Sequence, residues 1–90
     1  MTKWRISFAG KSDKDFEDLD KIIKSRIRNV ILELMELENP QTHPKSKSLK
    51  YENHDEFSVR AGKHRFIYSL DDNKMIIVIK KIGKREKFYI

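Results

Sequence analysis

The chain of 90 residues has no cysteine, so neither disulfides nor thiolate metal sites can supplement its core. It also lacks any apolar run approaching the ~20 residues that a membrane span needs. At the N-terminus, Met1-Thr2-Lys3-Trp4-Arg5 passes straight into an alternating pattern with no signal-peptide-like apolar segment. These absences predict a soluble cytoplasmic protein with no membrane partner. With three glycines in all, there is no glycine-rich phosphate loop, and neither a nucleophile elbow nor a paired-carboxylate signature is present. His43 and His54 have no ligand-like neighbour at helical spacing, so no metal site and no small-molecule cofactor is expected.

What the chain does have is charge, unevenly placed. Residues 1–40 hold eight of the 20 Lys/Arg and eight of the 14 Asp/Glu, so residues 41–90 carry the whole net charge of +6. A segregated positive field attracts a polyanion, chiefly nucleic acid, or an acidic protein partner. The length suits one domain, 1–90, able to fold alone without much margin.

Trp4, Ile6 and Phe8 alternate with Arg5 and Ser7, the pattern of a strand with one buried face. Ser12, with Asp15 three residues on, predicts the N-cap of a short first helix bearing Phe16 and Leu19. Asp20 is the expected cap of a second. There Ile23, Ile27, Val30, Ile31, Leu34 and Leu37 recur at spacings of three and four, an amphipathic helix to about Glu38. Asn39-Pro40 stops it. Residues 40–48 read as a polar connection, with a brief strand at Leu49 and Tyr51 and a turn over Asn53–Glu56. Three strands follow: Phe57–Ala61, then His64–Leu70 after a Gly62-Lys63 turn, then Met75–Ile82 after Asp71-Asp72-Asn73-Lys74. The nearly continuous apolar run of the last predicts a strand covered on both sides. The order implies a two-layer α+β domain: an N-terminal strand, a two-helix hairpin, then an antiparallel sheet of three to four further strands, with the helices on one face.

Period-2 parity then assigns the arginines. If Phe57, Val59, Phe66 and Tyr68 bury against the helices, Arg60 and Arg65 project from the opposite face on hairpin-connected strands. Lys80 is expected to join them, and Gly83 to turn the chain so that Lys84 and Arg85 approach the same surface. A planar guanidinium matches phosphate oxygens better than a point charge does. Such a surface suits metal-free RNA cleavage, in which a 2′-hydroxyl attacks the adjacent phosphorus while positive groups stabilise the phosphoryl oxygens. Tyr89 can stack on a base or orient the nucleotide, or equally cover the core beside Phe88. Arginine stays protonated near neutrality and is a poor general base. His64 has a suitable ordinary pKa, near 6.5, but parity sends it to the face opposite Arg65, as a packing histidine. Lys45, Lys47, Lys50, Lys80, Lys81, Lys84 and Lys87 supply the remaining basic surface for RNA or ribosome contact.

At these residues the chain resembles the RelE/ParE superfamily of toxins from type II toxin–antitoxin modules, over nearly its whole length. The likeness runs through W-R-I-S-F, D-F-E-D-L-D-K-I-I-K, F-S-V-R-A-G-K-H-R-F-I-Y and the closing I-G-K-R-E-K-F-Y. It implies a RelE-like fold with the first strand beside the last, and a cognate antitoxin that wraps and neutralises the toxin. The RelE branch implies a ribosome-dependent mRNA endonuclease that cuts in the A site. By position, Arg65 matches the phosphate-stabilising arginine, Arg85 the late arginine near the leaving group, and Tyr89 the tyrosine that stacks on the message. Arg60 and Ser58 fall where the best-known members carry two lysines linked to activating the 2′-hydroxyl. That departure implies reduced activity, or another base, or a ParE-like toxin acting on DNA gyrase, or a homologue that only binds its antitoxin.

Overall fold

The computed structural model describes residues 3–49 and 56–84. Its elements are β1 (Arg5–Phe8), α1 (Ser12–Glu17), α2 (Lys21–Glu36), a 3-10 turn (Pro40–Thr42), β2 (Ser46–Ser48), β3 (Glu56–Ala61), β4 (His64–Asp71) and β5 (Ile76–Lys84). They form a five-stranded sheet in the order β1-β5-β4-β3-β2. The first strand lies beside the last and parallel to it, Arg5 against Ile76 through Phe8 against Ile79. Every other pairing is antiparallel. This is the expected α+β architecture.

The helices cover one face. Ile27, Val30, Ile31 and Leu34 of α2 are buried with Trp4, Val59, Phe66, Tyr68, Ile77, Ile79 and Ile82, and Phe8, Phe16 and Leu19 pack at the margin. Phe66 and Tyr68 are wholly buried, and the Phe57 and Tyr68 rings stack with centroids 5.5 Å apart. α2 ends at Glu36 rather than near Glu38, with Leu37 already extended. Its terminal carbonyls, which lack intrahelical partners, are taken by the N-terminal segment. The Lys3 and Trp4 amides donate to the Met35 carbonyl at 3.0 and 3.3 Å, and the Trp4 indole donates to the Glu38 carbonyl at 3.1 Å.

Two local expectations change. Ser12 is the first helical residue, and Lys11 occupies the N-cap. The buried Ser12 hydroxyl lies 2.7 Å from the Ala9 carbonyl and 2.9 Å from that of Ile79, so it fastens α1 to β5 instead of capping. Asp20 holds the N-cap of α2 as expected, without a side-chain bond. The strand expected at Leu49 and Tyr51 lies earlier, at Ser46–Ser48, although the Leu49 amide still reaches the Glu56 carbonyl at 2.9 Å. Tyr51 and the Asn53–Asp55 part of the expected turn lie outside the described residues. A strand over Ser-Lys-Ser has no apolar alternation to announce it; buried polar bonds hold it, as set out below.

β5 is less covered than its composition predicts. Ile77, Ile79 and Ile82 are buried on the helix face, whereas Ile76 and Val78 are half-buried and Lys80 and Lys81 exposed. The pairing shifts register between Ile67, opposite Lys81, and Tyr68, opposite Ile79. Lys80 is therefore the extra residue of a β-bulge. The shift keeps isoleucines on the core side at both ends of a strand interrupted by two lysines.

Candidate functional site: a basic cleft on the open face of the sheet

The β3–β4 hairpin sets the geometry. Its two-residue loop starts with Gly62 at φ +67°, the positive value that the first loop residue of a tight hairpin requires. Arg60 is thereby placed directly opposite Arg65, Ser58 opposite Ile67, and the apolar pairs Phe57–Tyr68 and Val59–Phe66 face the helices. Parity thus puts both arginines on one surface, as the alternation predicted. His64 falls on the other, buried opposite Ala61. Burial, and then the charge of Lys84, holds its pKa below the ordinary 6.5.

Two like charges directly opposed across a strand pair repel, and here a third and a fourth approach. β2 joins the sheet beyond β3 with Ser46 opposite Val59 and Lys47 opposite Ser58. Lys45, Lys47, Ser58, Arg60 and Arg65, with Pro44, line an open cleft of about 90 Å³. Arg60, Lys45 and Lys47 are exposed and make no ion pair among the described residues, whereas Arg65 is half-buried with its Nε shielded from solvent. Across β4 from the site, Arg65 faces Gly83, which brings no side chain to crowd it.

β2 is held in this register from behind. Ser46 points toward the core, where its hydroxyl meets the buried Tyr68 hydroxyl, and Tyr68 donates in turn to the Pro40 carbonyl at 3.4 Å. Burial raises the Tyr68 pKa above 10, with the Ser46 bond opposing in part, so the phenol stays a neutral donor. His43, also buried, accepts the Lys45 amide at Nδ1 (3.1 Å), which leaves Nε2–H to donate to Glu33 of α2 at 2.8 Å. The Arg60 amide closes on the Lys45 carbonyl at 3.3 Å. With Ser46 turned inward, alternation turns Lys47 outward.

The remaining expected site residues distribute differently. Lys80, expected beside the arginines, is on the bulge and pairs with Glu56 at 3.0 Å; it does not line the cleft. Lys81 lies opposite Ile67 on the open face, and Lys84 opposite His64, on the other parity from Arg65. Arg85, Tyr89, Lys50 and Lys87 lie outside the described residues, as does His54. Among the described residues no cluster of three His, Asp or Glu could hold a metal ion, and no helix is long and apolar enough to cross a membrane. Residue-by-residue reading missed the positioning roles of Ser46, Tyr68 and His43. Parity gave Tyr68 as core, but nothing in the pattern shows what its hydroxyl holds.

Residues 6–89 match the family model of the ParE toxin of the type II toxin–antitoxin system, parDE. The chain belongs to that family. It is therefore a toxin of a type II module, within the superfamily that also holds RelE. Among solved structures it is similar to the toxin–antitoxin complex RelBE2 of Mycobacterium tuberculosis, with 24% identity over 94% of each chain and a TM-score of 0.76. It is also similar to the archaeal RelE–RelB complex of Pyrococcus horikoshii, with 24% identity over 92% of this chain and 96% of that one and a TM-score of 0.71. The isolated E. coli RelE toxin matches with 18% identity, 90% and 83% coverage and a TM-score of 0.74. At these identities the likeness establishes the RelE-like fold. No curated protein matches the sequence.

Proposed function

We propose that this toxin is a ribosome-dependent mRNA endonuclease that cuts the codon in the A site, in the cytoplasm, and is neutralised by a cognate antitoxin. The observation that carries the reading is the placement of Arg60 directly opposite Arg65 at an open cleft that Lys45 and Lys47 also line. A cleft lined by four cationic side chains suits an anionic oxygen ligand such as a phosphodiester, whose negative charge grows in the transition state. In the reaction, the message's own 2′-hydroxyl loses its proton to solvent and attacks phosphorus, and the bond to the 5′-oxygen breaks to leave a 2′,3′-cyclic phosphate and a 5′-hydroxyl that takes its proton from solvent; Arg65 and Arg60 stabilise the charge on the phosphoryl oxygens, Arg85 acts near the leaving 5′-oxygen and Tyr89 stacks on a base. Removing one such preorganised donor costs ~10²–10³ in rate. The antitoxin belongs to the proposal because the similar structures from M. tuberculosis and P. horikoshii are toxin–antitoxin complexes.

A second reading has its own support. The matching family is that of ParE, and Ser58 supplies neither the charge nor the proton acceptor of a lysine. A ParE-like toxin would poison DNA gyrase through the same fold without cutting RNA. Induced expression separates the two. The proposal expects new mRNA 5′ ends inside translated codons, lost in Arg65→Ala. Growth arrest with DNA breaks and intact messages would replace it with the gyrase reading.

A further inference from the structure

The side chain opposite Ser58 is Lys47, and both line the cleft with Arg60 and Arg65. Directly opposed residues place their Cβ atoms only about 4.5–5.5 Å apart, and serine is too short to fill the space between them. Lys47, on the edge strand, has a stem long enough to span it. Lys47 lines the cleft and has no ion-pair partner among the described residues. Its orientation is enforced. A slip of one residue in β2 would send Lys47 inward and Ser46 outward, breaking the Ser46–Tyr68 bond and stranding a buried phenol.

We propose that Lys47 is a direct ligand of the scissile phosphodiester, delivering from β2 the positive charge that position 58 on β3 lacks. This rests on the RNA-cleavage reading for the identity of the phosphate, and it deepens that reading by moving Lys47 from general basic surface into the reacting site. The two ammonium positions are interchangeable across the strand pair: a cation carried at either 47 or 58 reaches the same oxygens.

The test compares wild type, Lys47→Met, Lys47→Arg, the double variant Lys47→Met/Ser58→Lys, and Lys21→Met on α2 as the control. Each is measured for cleavage on programmed ribosomes and for binding of a short, uncleavable 2′-O-methyl RNA across a salt series. Thermal unfolding and binding of the cognate antitoxin report folding. One charge-assisted contact corresponds to ~10- to 100-fold. Lys47→Met is expected to lose that factor in both RNA readouts and to flatten the salt slope by about 0.7. Lys47→Arg keeps most of the binding, the double variant regains it, and Lys21→Met matches wild type. Wild-type cleavage with Lys47→Met indistinguishable from wild type overturns the assignment and leaves the nuclease reading standing. Lys47-dependent RNA binding without cleavage does the reverse. Loss of antitoxin binding alone in Lys47→Met, or no RNA binding by wild type, also overturns it. If Lys47→Met fails to fold, the double variant and Lys47→Arg decide: either one, folded and without RNA affinity, contradicts the proposal.

Discussion

On β3 and β4 the helix-facing and open-face side chains alternate residue by residue, yet the two surfaces are built in opposite ways. Facing the helices, Val59, Phe66 and Tyr68 are wholly removed from solvent, and the one hydroxyl among them is bonded to Ser46. On the open face, two arginines oppose each other directly, joined at the cleft by Lys47 of β2 and by Lys45 just before it. One surface gives up hydration to gain packing. The other gathers four cationic side chains at one cleft, with two of them directly opposed across the strand pair.

That contrast breaks first on the buried side. Phe66→Ala leaves a cavity beneath the sheet and should cost ~3–5 kcal/mol, a large share of the ~5–15 kcal/mol that holds a domain together; urea unfolding measures it. Tyr68→Phe removes only an oxygen, but leaves the Ser46 hydroxyl and the Pro40 carbonyl short of a partner, for ~1–3 kcal/mol. It should also loosen β2, so RNA affinity at the cleft falls while the β3–β4 hairpin keeps its amide-exchange protection.

His64 makes a pH-dependent difference. Its folded pKa lies below the unfolded value of 6.5 because of burial and Lys84, so the unfolded chain binds its proton first as pH falls. Its contribution is present above pH 6.5 and is lost as pH falls from there through the folded pKa. The urea midpoint should drop between pH 7.5 and 5.5, and less so in His64→Gln.

The smallest expected effect has the opposite sign. Arg60→Thr removes one member of an opposed like-charged pair and should raise stability by ~0.2–1 kcal/mol while weakening RNA binding. Added salt should shrink the stability gain, because screening already quiets the repulsion in wild type.

The same contrast explains what could be read from the residues. The alternation in Phe57–Ala61 and His64–Leu70 gave the parity of both arginines and the burial of His64, because a strand with one buried face writes that face at every second position. The stripe of α2 was legible for the same reason. β2 was not: Ser46-Lys47-Ser48 has no apolar residue, and its register depends on Tyr68 and on the His43–Glu33 bond, contacts 22 and 10 residues apart in sequence. Ser12 reads as a cap because helix starts favour serine, yet its hydroxyl serves the Ile79 carbonyl, 67 residues away. The bulge at Lys80 was likewise invisible, since only pairing with β4 reveals one residue too many. Local pattern therefore located the arginines but not the strand that completes their cleft.

Under the proposed function the open face, and not the helical layer, receives RNA phosphate. Amide shifts of isotopically labelled toxin during titration with a short 2′-O-methyl RNA test it directly. Movement is expected at Lys45, Lys47, Ser58, Arg60 and Arg65, with Ile22 and Leu32 on the exposed side of α2 unmoved. Shifts concentrated on α2, or none on β2 and β3, would contradict it.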